Sequence, residues 1–244
     1  MEQEDEITTE RFSTWLRTVR RALRTGEAVE VPCGDCRGCC TSSYFVHIEA
    51  DETESLAAVP DELKFPVPGR GAAGAVLGYD RRGHCPMFDG GGCSIYESRP
   101  RTCRVYDCRV FTATGLTVGD ERPVIARRSA RFRFELADAD DRAELAAVRA
   151  AARFLVDHAA AFPPGFVPEN PTQQAVVALK VYEAFLAPAI EPRGGDGAVA
   201  GQGPAAAPHS AATRLPDATP KPVAALVAAT VDAYACFEAG DPAR

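Results

Sequence analysis

The sequence predicts an α+β protein with a small, irregular, cysteine-rich core of short strands, packed by flanking helices. Three observations support this fold class. Eight of the nine cysteines fall between Cys33 and Cys108. Apolar residues recur at helical spacing on both sides of that segment, and short β-forming runs separated by Gly and Pro lie within it. With 244 residues, 46% of them hydrophobic, the chain is long enough for one sizeable core.

Amphipathic patterns predict the helices that flank the cysteine segment. In the first, Phe12, Trp15 and Val19 share one face and arginines occupy the other, and Gly26 marks the expected end. Asn170 followed by proline is typical of a helix start, because the side chain caps the first turn and proline suits its first position. The predicted helices cover residues 7–25, 140–160, 171–186 and 223–239.

Shorter elements are predicted between these helices. The run from Asp89 to Gly92 is a tight turn, which would place Cys93 close to Cys85 in a small hairpin. A helix of two turns, capped by Asp51, is expected up to Ala58. Strands are predicted at residues 43–48, 76–79 and 131–136.

The domain organisation follows from a change in composition. Residues 1–186 are predicted to form a single domain, with the cysteine core at about residues 30–110. Residues 187–222 consist largely of Ala, Gly and Pro without periodicity, which predicts a flexible, disordered linker. The linker leads to the C-terminal helix at residues 223–239.

Charge and hydropathy argue against several classes of protein. The formal net charge of −7 argues against non-specific binding of nucleic acid. The sequence has no run of 18 apolar residues, so a membrane-spanning helix is not expected. The N-terminal sequence MEQEDEITTE is acidic and lacks the apolar segment of a signal peptide. We therefore expect a cytoplasmic protein with no membrane partner.

The cysteines form a pattern typical of a metal site. In a reducing cytosol, clustered thiols bind metals or act in catalysis more often than they form disulfides. The two-residue gaps in CGDCRGCC (33–40) let a tightly turned backbone direct several sulfurs to one centre. Disulfides or ordinary buried thiols are the alternative. The candidate metal ligands are Cys33, Cys36, Cys39, Cys40, Cys85, Cys93, Cys103 and Cys108.

The spacing leaves zinc and iron open and slightly favours iron. Eight thiols could saturate two tetrahedral sites, or one cluster with ligands left over. A zinc ribbon would carry a second C-x2-C, whereas three thiols in one loop plus a distant Cys-Pro pair are similar to iron–sulfur ligation. Because neighbouring side chains diverge, either Cys39 or Cys40 is expected to serve a second centre or to remain free. His47 and His84 could complete a mixed site, although a hydrogen-bonded structural role is the commoner one.

Three motifs carry a family resemblance: CGDCRGCC (33–40), GHCPMF (83–88) and CSIYESRPRTCRVYDC (93–108). Together they resemble the YkgJ-like cysteine-cluster family, a zinc- or iron-chelating domain headed by C-x2-C-x2-C-C. The resemblance covers about residues 30–110 and implies metal chelation by the matching cysteines. Flagellin lysine N-methylases are similar in their cysteine signature and are associated with an iron–sulfur cluster. The resemblance assigns no reaction to this chain.

Three arginines, Arg99, Arg101 and Arg104, lie beside Cys103 in the sequence. A centre held by four thiolates is negatively charged, so these arginines could offset that charge and donate hydrogen bonds to sulfur around the metal ligands. The alternative is structural, with Arg99 paired with Glu97 or with a main-chain carbonyl.

Two further patterns are not taken as binding sites. Residues 69–74 match G-x-G-x-x-G, but Pro66 and Pro68 interrupt the strand that must precede a dinucleotide loop, so a flexible loop is expected. The stretch from Arg99 to Arg133 contains nine arginines and three acidic residues. Few stacking aromatics accompany them, so nucleic acid is not expected as a partner. Neutralisation of the thiolates, or contact with an acidic protein partner, fits better.

Two functional hypotheses follow. In the first, the chain is a binding module whose metal stabilises the fold or is carried to another protein. In the second, it is an iron–sulfur-dependent enzyme, redox-active or protein-modifying as a lysine N-methylase is. A closed set of four sulfurs would favour the first, and an open coordination position near His47, His84 or Tyr96 would favour the second.

Overall fold

The computed structural model describes residues 5–67, 74–119, 122–186 and 222–240. Its mixture of helices with small sheets confirms the predicted α+β class. The strands in these residues are β1 Ile7–Arg11, β2 Val46–Ile48, β3 Lys64–Phe65, β4 Ala75–Leu77 and β5 Phe132–Glu135. The helices are α1 Phe12–Thr25, α2 Thr53–Ala58, α3 Arg101–Arg104, α4 Arg109–Thr114, α5 Pro123–Ala130, α6 Ala139–Asp157, α7 Pro171–Val181 and α8 Val223–Glu238.

The larger hydrophobic core lies among the helices α1, α4, α6 and α7 and the parallel strand pair β1–β5. Phe12, Trp15 and Phe132 are its largest side chains, and each is at most 1% exposed. We call this part of the molecule the helical scaffold. Its apolar faces are those predicted from the 3.6-residue spacing, since burying one face of each helix is what stabilises an amphipathic helix in a protein.

The prediction that helix formation begins at Ile7 is wrong for the first five residues. Ile7–Arg11 is strand β1, whose residues Ile7 and Thr8 pair in parallel with Phe132 and Arg133 of β5. The threonines in this segment are β-branched and suit a strand. The helix α1 starts at Phe12, where the backbone N–H of Ser13 donates to the Asp141 carboxylate over 3.0 Å. The partners are more than 100 residues away, so local periodicity could not reveal them.

A separate antiparallel sheet, ordered β2-β4-β3, forms the second and smaller core. Its buried apolar residues are Val46, Ile48, Val59 and Leu77. We call this part the small sheet. The strands predicted at residues 43–48, 76–79 and 131–136 are present in shortened form as β2, β4 and β5. The isolated ladder contact between Phe88 and Cys93 supplies the predicted hairpin.

Helix ends follow the predicted capping chemistry in most places. The Asn170 side chain accepts from the backbone N–H of Thr172 over 2.9 Å at the start of α7. Gly26 takes the left-handed conformation, with φ of 75°, at the end of α1. The predicted Asp51 cap is wrong, because α2 begins at Thr53 without a side-chain cap and the Asp51 carboxylate instead accepts from Arg101 over 2.9 Å.

The C-terminal helix α8 packs on α7 and on residues 182–185. Phe237 is buried there, and Lys180 donates to the Glu238 carboxylate over 2.6 Å. Residues 187–221 of the predicted linker and residues 69–73 of the G-x-G-x-x-G segment lie outside the described residues. The flexible linker and the flexible loop therefore stay predictions. Within the described ranges, no helix is long and apolar enough to cross a membrane.

Candidate metal centre

The loop that carries the first four cysteines is fixed against α5. The backbone N–H of Cys36 donates to the Cys33 carbonyl over 2.9 Å, and residues Gly38–Cys40 form one turn of 3-10 helix. Gly38 is buried against Val124 and Ile125, and a Cβ on it would lie 3.1 Å from both side chains. A side chain at this position would require Val124 and Ile125 to shift by a few tenths of an ångström.

Cys108 joins the same region from the scaffold. It stands at the N-cap of α4 and is only 6% exposed, within the larger hydrophobic core. The helix α5 follows α4 and packs against both α4 and the 3-10 turn of the loop. The scaffold thus brings Cys108 to the loop although the sequence separates them by about seventy residues.

The hairpin brings Cys85 and Cys93 beside Cys40. The backbone N–H of Cys85 donates to the Cys40 carbonyl over 2.8 Å, which ties the hairpin directly to the first loop. The Asp89 carboxylate accepts from the N–H groups of Gly91 and Gly92 over 2.9 and 3.0 Å and closes the turn. The predicted turn chemistry and the closeness of the two thiols are confirmed.

Cys103 is held by α3 against the edge of the small sheet. The Thr102 hydroxyl donates to the His47 carbonyl of β2 over 2.9 Å. Glu52, buried at the start of α2, accepts from the backbone N–H of Arg101 and lies 3.6 Å from the Arg104 guanidinium. This one carboxylate therefore fixes the turn that presents Cys103.

Repulsion between thiolates identifies neighbouring sulfurs, because it weakens with distance. Burial raises the pKa of the Cys39 thiol well above its usual range, and repulsion from Cys108, Cys33, Cys40 and Cys36 adds to the effect in that order. Burial also raises the pKa of Cys108 to about 12, with further contributions from neighbours that include Cys33 and Cys36. We call Cys33, Cys36, Cys39 and Cys108 the first thiol group.

The other four cysteines interact in the same way. Burial raises the pKa of Cys40 to about 11, and repulsion from Cys85 and Cys93 raises it further. Burial raises the pKa of Cys103 to about 12, and repulsion from Cys85, Cys40 and Cys93 contributes. We call Cys40, Cys85, Cys93 and Cys103 the second thiol group.

The adjacent residues Cys39 and Cys40 are assigned to different groups by their strongest cysteine neighbours, although Cys40 also raises the pKa of Cys39. Cys39 interacts most strongly with Cys108 of the scaffold, and Cys40 with Cys85 of the hairpin. The two groups adjoin, since Cys33 also raises the pKa of Cys40. All nine cysteines are free thiols, and Cys236 lies apart on α8. The sequence left open whether one of the adjacent pair serves a second centre, and this division favours that reading.

The number and kind of donors fit zinc or iron, both of which take four thiolates. Among the described residues, however, no three His, Cys, Asp or Glu side chains already stand in a position to hold a metal ion. The backbone thus assembles two sets of neighbouring thiols without drawing the sulfurs to coordinating distance. Metal binding requires that the thiols lose their protons, because the thiolate is the ligand.

Three arginines oppose the negative charge of the thiolates, and Arg37 is the one that the sequence analysis did not single out. Burial and repulsion from Cys36 raise the pKa of Cys33, and the charges of Arg128 and Arg109 counteract this. Arg37 does the same for Cys40. Arg37 lies inside the first motif and Arg109 directly follows Cys108, so both carried a local signal. Arg128 belongs to the arginine-rich stretch expected to neutralise the thiolates, but only the packing of α5 shows that it lies at the loop.

Arg109 also belongs to a buried ionic network beside Cys108. It pairs with Asp107 over 2.7 Å and with Glu10 over 2.8 Å, and it donates to the Glu30 carbonyl over 2.9 Å. Asp107 in turn accepts from the indole N–H of Trp15 over 2.8 Å. This network joins β1, α1 and the residues before the first motif to the base of α4.

The three arginines singled out from the sequence have different environments. Arg99 stacks over the Tyr96 ring at 3.9 Å and donates to the Tyr96 carbonyl, and its charge counteracts the raised pKa of Cys103. Arg101 pairs with Asp51, and Arg104 donates to the carbonyls of Arg99 and Gly26. Within the described ranges neither Arg101 nor Arg104 has a sulfur partner. Their role around the metal ligands stays a prediction.

The two histidines near the cysteines have structural contacts. The backbone N–H of His84 donates to the Asp80 carboxylate over 2.9 Å, and its ring meets the Phe88 ring edge-on. His47 is part of β2, where it pairs with Val76 of β4. Their place in a mixed metal site stays a prediction.

Eight free thiols on short loops and strands beside the helical scaffold are the candidate ligands of this region. Residues 32–123 match the CxxCxxCC family model, described as "Putative zinc- or iron-chelating domain". The match covers less than half of the chain and supports the family predicted from the sequence. Comparison with curated proteins and with solved structures found no match.

Proposed function

We propose that the chain binds metal at two adjoining centres, one held by each thiol group. The zinc- or iron-chelating character comes from the family of residues 32–123. The observation that carries the proposal of two centres is the division of neighbouring thiols into two sets of four, with Cys39 and Cys40 on opposite sides. Four thiolates complete the tetrahedral coordination of zinc and equally the ligand set of an iron–sulfur cluster.

The way in which the first motif is divided supports iron–sulfur clusters over zinc. In bacterial two-cluster ferredoxins, three cysteines of one run bind one cluster and the fourth cysteine of that run binds the other. Here Cys33, Cys36 and Cys39 lie in the first thiol group, and Cys40 lies in the second. A remote cysteine, Cys108, completes the first group. The arginines around both groups would offset the charge of such centres.

A binding role fits this ligand arrangement better than catalysis at the metal. Catalytic metal sites keep a coordination position open, whereas two complete sets of four protein sulfurs leave none. An iron–sulfur-dependent enzyme would need one of the sulfurs to be released. The free thiols of the structure fit a reducing compartment, and we place the protein in the cytoplasm.

The identity of the metal is tested by anaerobic purification, followed by metal analysis, acid-labile sulfide analysis and a visible absorption spectrum. Iron with sulfide and a coloured protein would support clusters, and about two zinc ions in a colourless protein would support tetrahedral sites. A purified chain that binds neither metal would contradict the proposal.

The division into two centres is tested by single substitutions. Cys36→Ser and Cys40→Ser should each lower the metal content by about half, because each removes a ligand from a different group. The matched control is Cys236→Ser, which should keep the full metal content. A large loss of metal in Cys236→Ser, or none in Cys36→Ser and Cys40→Ser, would contradict the assignment.

A further inference from the structure

An open cavity of about 360 Å³ lies beside the first thiol group, where α5 faces the cysteine loop. Its volume is in the range of cavities that hold small molecules rather than single ions. The cavity is lined by Asp35, Cys36, Val124, Arg127, Arg128 and Arg131. Three arginines against one carboxylate make it a positively charged cavity in a chain whose net charge is −7.

The side chains of Arg127 and Arg128 retain hydrogen-bonding capacity. Arg127 is exposed and has no hydrogen bond or ion pair within the described part of the chain. Arg128 donates to the Pro32 carbonyl through Nη2, but its Nε is buried without an acceptor. A buried donor without an acceptor is destabilising, and more so when it carries charge. Arg131 is positioned by a hydrogen bond from its Nε to the Asp5 carbonyl over 2.9 Å.

We propose that this cavity binds a small organic or inorganic oxyanion, through phosphate or carboxylate oxygens. The planar guanidinium groups of Arg127 and Arg128 match such oxygens in charge and in geometry. The Val124 side chain provides an apolar wall, and Asp35 at the rim disfavours additional negative charge on its side. The bound anion would lie next to Cys36, directly beside the first thiol group. The proposal does not depend on which metal is bound.

The test is isothermal titration calorimetry on the full chain at constant ionic strength, with inorganic phosphate and with tricarballylate as probes. Tricarballylate lacks the hydroxyl group that makes citrate a strong metal chelator, so it separates anion binding from metal removal. Arg127→Gln should weaken binding about tenfold, the loss expected for one charge-assisted hydrogen bond. Asp35→Asn should tighten binding, because it removes the only carboxylate among the residues that line the cavity.

The matched control is Arg153→Gln, which removes the same charge from an exposed residue of α6 that has no ion pair in the described part of the chain. It should bind both probes as the unsubstituted protein does. Equal weakening in Arg127→Gln and Arg153→Gln would overturn the proposal, since it would show attraction by overall charge only. No binding of either probe would also overturn it. The stronger of the two probes identifies the chemical class, and metal content measured on each variant keeps this result separate from the proposed metal function.

Discussion

The helical scaffold and the small sheet are stabilised in different ways. Among the described residues, the scaffold buries 24 apolar side chains in one continuous core, whereas the core of the small sheet has four. Burial of apolar surface is the main favourable term in folding, so the scaffold can hold itself together. The small sheet has too few buried groups for this.

This difference in buried apolar core indicates which region depends on the thiol groups for its stability. The first thiol group is attached to the scaffold through Cys108 and α5, and the second joins the small sheet, the hairpin and α3. We infer that metal at the second group substitutes for the missing core of the small sheet, as in small metal-dependent domains. Each of the following predictions tests or measures the difference in stabilisation between the helical scaffold and the small sheet.

The largest effect is expected from metal removal. Structural zinc contributes about 10–16 kcal/mol of apparent binding energy in small domains, so chelation should unfold the small sheet. In hydrogen exchange, the amides of β2 and β4 should lose protection while those of α6 and α7 keep it. Trp15, the only tryptophan, is buried in the scaffold, so its fluorescence should remain unchanged. Loss of the Trp15 signal in the same step would show that the two regions unfold together.

The next effect is expected in the scaffold, at the buried pair of Asp107 and Arg109. Their side chains are 0% and 3% exposed. Asp107→Ala should lower the free energy of unfolding by about 3–5 kcal/mol, because it removes the buried carboxylate shared by Arg109 and the Trp15 indole and leaves Glu10, which is partly exposed, as the ionic partner of Arg109. The control is Asp61→Ala, which breaks the pair between Asp61 and Lys64 and should have little effect on stability, because the Asp61 side chain is 96% exposed. Both are measured by urea denaturation followed by circular dichroism, and equal costs would contradict the prediction.

Substitution of two glycines, one beside the small sheet and one after α4, compares how well the backbone of each region accepts an added side chain. Gly74 and Gly115 have similar left-handed conformations, with φ of 77° and 73°. A Cβ on Gly74 would lie 2.5 Å from the Ile48 carbonyl of β2, whereas a Cβ on Gly115 would meet nothing within 4 Å. Gly115→Ala should therefore cost about 1–2 kcal/mol from conformation alone. Gly74→Ala should cost more and should expose β2 and β4 to hydrogen exchange. Similar costs for both variants would show that the small sheet can shift to relieve the contact.

The smallest effect is a pH dependence confined to the scaffold. Hydrogen bonds from Ser13 and from the backbone of Ala137, with the charge of Arg11, hold the pKa of Asp141 well below its usual range. A carboxyl group whose folded pKa is depressed stabilises the fold above its unfolded pKa, about 4, and this contribution is lost as pH falls below it. Asp141→Asn should therefore flatten the decline of the unfolding free energy below about pH 4. The exposed neighbour Asp140→Asn is the control and should leave the decline unchanged.

Much of the fold was predictable because it depends on local patterns. The helix faces, the Asn170 cap and the Asp89 turn follow from residue types within a few positions of one another. Where the predictions failed, a distant partner decided the outcome. Asp51 binds Arg101 instead of capping α2, and Ile7–Arg11 pairs with β5 instead of extending α1. Sequence spacing carries no information about such partners.

The sequence by itself determined the cysteine segment and its chelating character, since eight clustered thiols in recognisable motifs need no knowledge of the fold. Only the tertiary structure decided how these thiols divide. Cys108 is adjacent in sequence to Asp107 and Arg109, but packing of α4 and α5 brings it to Cys33, Cys36 and Cys39. The same packing forms the arginine-lined cavity. The physical reason is that the interaction between two side chains depends on their distance in space and not on their spacing along the sequence. The burial of the helix faces sets that distance.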